Sequence, residues 1–531
     1  MIDARLLARI RKCVSSFMKS QHRKKGLKVF AALAVLYAIA FSGETLWRRR
    51  TRAVVLEPSK SSYFHYEFIE IRLSSRDPAL RRRWRQSPPK VVVTRGGQPV
   101  TTIASIREMA LQPDESTGMW SARWPCPWNA PTGVYELKLV EPGDLGERLT
   151  ARPFSIRRRK PKPVPHRFAV LTLESVRPLR TMKVRTPDGE IKDWRGLFDW
   201  VEYIGADAFW VLAGRTPGDR PQEVWLSHNL PMIPELAKES RRRGIKFGVY
   251  VMCYLTLSSD RLSRYEYALD VQDGRPVPTR AISIRDPRRA EDVGALLERM
   301  RDIPEVDYLG LDYIRNPLGG YELVDDFYRE MPVSPPPGWD KLSREERMVY
   351  FVRKKIMRLD RDFIDAWQWW RAHRVAGIVR GIKARLGDSK PLWAFTLTWD
   401  KGWHHGQDPV MMNDAGVDAD ALMLYEADES QFAAMMRDWS RYVRKDDVQL
   451  IVGDVIDWNL HQKHPEGPKE FYRRTVEAIN KIHADGMATG VFFHDLDRAL
   501  WGRLGPWDSR AWMDEARRAV QYFKASGVVA R

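Results

Sequence analysis

Cysteine is scarce. Three in 531 residues (Cys13, Cys126 and Cys253) are too few for a disulfide framework or a cysteine-rich zinc site. Long apolar runs are scarce too. Only Val29 to Phe41 is apolar over thirteen residues, which excludes a polytopic membrane protein. The chain has no G-x-S-x-G elbow, no H-E-x-x-H pair, and no glycine-rich phosphate or dinucleotide loop after its first barrel-type strand. What remains is a globular balance, 44% hydrophobic and 30% charged, in a chain long enough for several domains and a large core.

The net charge of +19 is unevenly spread. Residues 1–52 carry 13 basic and 2 acidic side chains, residues 53–165 carry 19 and 11, and residues 166–531 carry 56 of each. A nucleic-acid reader concentrates positive charge on its recognition surface. Here the largest segment is neutral, so no nucleic-acid partner is expected.

Residues 1–28 form a basic n-region that stays in the cytoplasm, and residues 29–47 a signal peptide or signal anchor. Nine Lys/Arg precede the apolar run and four follow it, which directs the remainder outward. The expected location is the inner membrane, single-pass, with the domains on the periplasmic or extracellular side. Secretion after cleavage near Ala38-Ile39-Ala40 is the alternative. The cysteines far apart in the exported part read as free thiols.

Residues 53–157 show short alternating segments, including Phe68 to Leu73, Val91 to Val93, Thr101 to Ile103 and Tyr135 to Leu139, separated by turn residues. They read as a small β-sandwich. Trp120 to Trp124 followed by Ala130 to Tyr135 resembles the last strands of bacterial immunoglobulin-like or macroglobulin-like modules. Arg81, Arg82, Arg83 and Arg85 read as a loop, either solvated or touching anionic lipid or polysaccharide. This domain is also where an envelope protein partner would dock. Residues 158–165 read as a basic, proline-stiffened linker.

From residue 166 the period changes. Eight apolar strand-like runs begin at Phe168, Ala208, Phe247, Tyr308, Leu392, Ala421, Gln449 and Thr489, and helix-like stretches alternate with them. Their unbroken hydrophobicity suits parallel strands buried on both faces. The expected fold class is α/β, a (β/α)8 TIM barrel over 166–531, with an open doubly wound sheet as the alternative. The connection over 316–364, with its proline cluster Pro332 to Pro337, far exceeds an ordinary βα loop and reads as a lid, groove wall or inserted subdomain.

Polar residues gather where the strands end, the side on which barrels place their chemistry. Asp312 and Arg315 follow the fourth strand, Asp400 and His404 the fifth, Glu426 the sixth, Asp457 the seventh, and His494 and Asp495 the eighth. Trp399, Trp403 and Trp458 lie among them, and their flat faces suit sugar rings. Hydrolysis of a glycoside needs one carboxyl to protonate the leaving oxygen and a second as nucleophile or base. Strands four and six share a parity, so Asp312 and Glu426 are the expected catalytic pair. The expected substrate-binding set is Arg285, Arg315, Trp399, Asp400, Trp403, His404, Asp457, Trp458, His494 and Asp495. The histidine spacings assemble no metal site, and no cofactor or metal is expected.

The stretch Asp307 to Pro317, D-Y-L-G-L-D-Y-I-R-N-P, resembles the barrel-strand signature of the glycoside-hydrolase-like family 10 group, bacterial cell-envelope glycosidases. Ile284 to Pro287, Trp369 to Arg380 and Asp418 to Tyr425 resemble neighbouring parts of the same barrel. The resemblance implies a TIM barrel acting on envelope polysaccharide or peptidoglycan-like glycans. Carboxylates after strands four and six also resemble α-galactosidase-type barrels. The expected function is therefore an exported, membrane-tethered glycoside hydrolase. The alternative is a non-catalytic glycan-binding or scaffold protein of an envelope assembly.

Overall fold

A computed structural model describes residues 54–140, 149–216, 223–226, 228–256, 261–316, 318–356, 360–397, 405–426, 428–438, 448–458, 467–483 and 488–526. The n-region and the apolar segment 29–47 lie outside the described residues. No described helix is long and apolar enough to cross a membrane.

Period-two burial organises residues 54–156. Val54 and Leu56 point inward, as do Ile69, Ile71 and Leu73. Their strands belong to a five-stranded sheet that faces a six-stranded one, and both surround Trp84, Trp124, Tyr135 and Phe154. This is the expected β-sandwich, with two local corrections. The arginines 81–83 and 85 lie on a helix, Pro78–Gln86, and not in a loop. Asp77 caps it, accepting from the amides of Ala79 (2.9 Å) and Leu80 (3.5 Å), and Pro78 starts it. Leu80 and Trp84 bury its inner face, which leaves the arginines outside. The run Thr101 to Ile103 is not a strand but leads into a single 3-10 turn, Ile103–Ser105.

The stretch after the sandwich is docked and not a free spacer. Arg158 donates to Asp414 (3.0 Å) and Arg159 to Asp418 (2.9 Å), both on the barrel. His65 of the sandwich bridges Asp414 (2.7 Å) and the carbonyl of Ala130 (2.7 Å). Burial works against the Asp414 charge, but His65 and Arg158 overcome it and hold the carboxyl below its ordinary value. Trp369 donates to the Cys126 carbonyl and Trp128 to Asp365, each at 2.7 Å. These bonds set the sandwich against one flank of the barrel.

The barrel closes. Its strands are β1 (Phe168–Leu173), β2 (Ala208–Thr216), β3 (Lys246–Thr256), β4 (Tyr308–Asp312), β5 (Leu392–Leu397), β6 (Ala419–Met423), β7 (Leu450–Val455) and β8 (Ala488–His494). Each pairs in parallel with the next, and β8 pairs with β1. The intervening helices are α1 (Gly196–Ile204), α2 (Ile233–Arg242), α3 (Pro287–Arg301), α4 (Arg361–Leu386), α5 (Pro409–Ala415), α6 (Glu429–Asp438) and α7 (Pro468–Ala478), with α8 (Ser509–Ala525) after β8. An open doubly wound sheet is excluded by the β8–β1 pairing.

Two indoles fill the barrel interior. Trp210 and Trp393 stack at 3.9 Å between ring centroids, from β2 and β5. Glycines on the strands between them make the room. A Cβ at Gly248 would stand 2.2 Å from Trp210, and one at Gly310 would stand 2.3 Å from Trp393. The barrel is a packed core, so chemistry is confined to its ends.

The long connection after β4 is a helical subdomain. Helices Val324–Glu330 and Arg344–Ile356 pack on α4 through a cluster of rings. Phe327 and Phe351 each contact Trp367, at 5.3 and 4.6 Å between centroids. A hairpin not foreseen from the sequence, Tyr267–Gln272 with Arg275–Ile282, rises from the loop after β3.

Candidate active site

Alternation along each strand decides which residues reach the mouth. On β1, Phe168 and Val170 point inward, and Thr172 and Glu174 continue that phase. On β4 the inward series runs through Tyr308 and Gly310 to Asp312, and on β8 through Phe492 to His494. Thr172 and His494 meet at 3.1 Å, and the other ring nitrogen of His494 lies 3.6 Å from a Glu174 oxygen. The Tyr425 ring stacks on His494, with centroids 5.5 Å apart and planes at 9°.

Glu174 is a site residue that the sequence pattern did not single out. Its side chain sits deep in the mouth yet keeps 17% of its surface open. Burial, and then the negative charge of Asp312, push its carboxyl up to about 8, against an opposing pull from Arg498. A carboxyl in that state is protonated at neutral pH, beside the second carboxyl, Asp312. The signal was available: Glu174 stands at the inward phase of β1, one residue past the end of the apolar run.

Neighbouring groups are held uncharged. Burial pushes His494 well below its ordinary value, so its imidazole is neutral. Burial, and the charges of Glu174, Asp495 and Asp312, push the Tyr250 phenol well above its own. The Tyr250 hydroxyl makes no hydrogen bond among the described residues, so a donor remains unspent in the middle of the group.

Asp312 ends β4 and is almost fully buried. Its Oδ1 accepts from the Tyr313 amide at 2.7 Å. Tyr313 itself adopts φ +47°, a left-handed conformation that costs a non-glycine residue roughly 1–2 kcal/mol. Backbone strain of this kind gathers at functional sites, where surrounding structure imposes it.

The other expected site residues divide. Asp495 is fully buried and accepts from the amides of Glu174 (2.7 Å) and Arg498 (2.8 Å), tying the end of β1 to the end of β8. Burial raises it to about 6, with Arg498 opposing. Asp457 is held by Arg498 (2.5 Å) and Arg503 (2.9 Å), and the same Arg498 feels Glu174. Both aspartates are committed to these backbone and arginine partners. Arg285 pairs with Glu266 (2.5 Å) at the start of α3, and the structure does not join it to Asp312. Arg315 lies over the Tyr313 ring at 4.6 Å. Trp458 is 37% exposed on the loop after β7, an open indole face at the rim. Glu426 occupies the turn Leu424–Glu426 directly after β6, but its side chain lies outside the described residues, as do Trp399, Asp400, Trp403 and His404. Asp454, also a strand-end acid, points outward to Arg474 on α7 at 3.5 Å.

A cleft of about 1140 Å³ lies between the sandwich and the stretch Met331 to Pro335, lined by Tyr66, Arg123, Glu330 and His373 among others. It contains none of the strand-end carboxyls, so the site is placed at the mouth. Among the described residues no group of three or more His, Cys, Asp or Glu could hold a metal ion. Cys126 and Cys253 are buried free thiols that burial pushes upward, which removes them as nucleophiles.

No family model matches the chain, and no curated protein does. Solved structures with similar coordinates include a β-galactosidase from Marinomonas ef1 (TM-score 0.42, 13% identity, 67% of this chain and 59% of that one). They also include a GH36 α-galactosidase from Geobacillus stearothermophilus (0.39, 10%, 86% and 55%) and an α-amylase from Geobacillus thermoleovorans (0.35, 10%, 68% and 79%). The chain spans a little over half the length of the two galactosidases. The likeness to the glycoside-hydrolase-like family 10 group rests on the sequence motifs around Asp312, Ile284 to Pro287, Trp369 to Arg380 and Asp418 to Tyr425, and these comparisons do not show it.

Proposed function

We propose that the chain is a glycoside hydrolase acting on an envelope or extracellular polysaccharide, with Glu174 as general acid and Asp312 as nucleophile or general base. One observation carries this reading: a carboxyl raised to about 8 shares the barrel mouth with a second carboxyl, Asp312, whose proximity helps to keep it protonated. Glu174 protonates the departing glycosidic oxygen, while Asp312 either attacks the anomeric carbon or activates water. In the first case Asp312 loses its charge on bonding, the repulsion on Glu174 falls, and Glu174 is set to act as base for the second step. The Tyr250 phenol supplies a hydrogen bond to charge that develops between them. In this reading the N-terminal segment 29–47 tethers the domains outside the cytoplasmic membrane, and the sandwich presents them to the wall.

Asp312→Asn then lowers turnover of a cleavable glycan by at least about a hundredfold with an unchanged melting profile. Glu426→Gln, the partner expected from strand parity, lowers it by less than tenfold. Full activity in Asp312→Asn defeats the hydrolase reading. A collapse in Glu426→Gln moves the acid role there. Glycan binding by the wild-type protein with no turnover identifies the non-catalytic alternative.

A further inference from the structure

Resting on the reading above, we infer that Arg315 builds a subsite for a sugar carboxylate beside Asp312, so that the glycan is an acidic one. Arg315 is 4% exposed, and its Nε and Nη1 make no hydrogen bond among the described residues. Asn316 beside it is 1% exposed, and both atoms of its side-chain amide are likewise without a partner. A buried guanidinium with two nitrogens left without partners among the described residues is costly. The ring of Tyr313 covers the guanidinium at 4.6 Å, a contact that does not replace hydrogen bonds.

The placement points to the substrate. Arg315 follows Asp312 by three residues at the same strand end, and the Tyr313 ring it covers packs on the barrel-interior cluster. The charges of Arg315 and Asp312 are both felt at the Cys253 thiol, so the two side chains lie near one another at this strand end. Sugar hydroxyls could accept from one N–H each but bring no counter-charge. A carboxylate brings both, and it accepts from two guanidinium N–H groups in the parallel arrangement that favours arginine. The excess positive charge of the sandwich suits a polyanionic glycan, while the barrel itself is neutral.

Two kinds of sugar carry such a group: uronic acids, and amino sugars bearing a lactyl ether. Titration calorimetry on the wild-type full chain and on Glu174→Gln compares an oligouronide, a lactyl-bearing amino-sugar oligomer, and the carboxyl-reduced form of each. The expected result is that one acidic oligomer binds on the order of tenfold to a hundredfold more tightly than its reduced form. Arg315→Gln and Arg315→Lys, checked for folding by thermal melting, erase or shrink that difference by weakening the acidic form more than the reduced one. Equal binding of acidic and reduced forms to the wild type, no binding of either acidic oligomer, or a preference that survives in folded Arg315→Gln each overturns the subsite. The hydrolase reading fails separately, if Asp312→Asn keeps full turnover while the acidic preference stands.

Discussion

Replacing Glu174 with Gln lowers kcat/KM on unactivated glycans by about 10²–10⁴-fold, the usual range for losing a positioned general acid. The pH profile carries the sharper signature. The wild-type acid must hold its proton to act, so activity falls as pH rises through about 8. The Gln variant has no such group, and its residual activity is flat through that region. Aryl glycosides, whose leaving groups depart without a proton, lose much less. Steady-state kinetics on both substrate types checks this. A Gln variant that keeps the alkaline limb, or that loses both substrates equally, contradicts the acid role.

The second large effect lies away from the mouth. Asp408 caps α5, accepting from the Met411 amide at 2.8 Å, and its other oxygen is buried without a partner among the described residues. Burial pushes it up to about 6, although the Met411 amide, His65 and Arg158 pull the other way. Asp420 on the adjoining strand is also fully buried and pushed well above the carboxylate range, by burial first and then by Asp408. The folded protein holds the Asp408 proton between pH 3.8 and about 6 whereas the unfolded chain has lost it, so stability falls as pH rises through that window. Asp408→Asn keeps the cap and cannot ionise. Each pH unit across the window is worth about 1.4 kcal/mol, so the variant gains up to about 3 kcal/mol over the wild type above pH 6 and nothing below pH 4. Denaturant melts of both proteins at pH 4 and pH 8 measure the difference. An equal stability difference at the two pH values removes the explanation.

The barrel was legible because its cause is local. Strands buried on both faces read as apolar runs, and all eight stand where the runs do. The helix at Arg81 to Arg85 was also written locally, in Asp77-Pro78, but the arginine run reads as a loop when the cap is overlooked. Docking of Arg158 and Arg159 on Asp414 and Asp418 could not be read, since the partners lie more than 250 positions apart. Glu174 escaped notice for a different reason. Strand parity directs attention to Asp312 and Glu426, whereas an acid is made by its surroundings. The features that raise Glu174 are burial and the field of Asp312, and both belong to the closed ring. Asp457 and Asp495 show the converse: strand-end acids committed to arginines and backbone amides, indistinguishable in the sequence from one open to the mouth.

Acid catalysis at this mouth depends most on the protonation of Glu174. Carbon-detected NMR of the protein labelled at its glutamate carboxyls, with the resonance assigned by Glu174→Gln, reads that property without any substrate. A midpoint near pH 8 that drops in Asp312→Asn is the result expected. A midpoint near the ordinary 4.5, unmoved by Asp312→Asn, contradicts it.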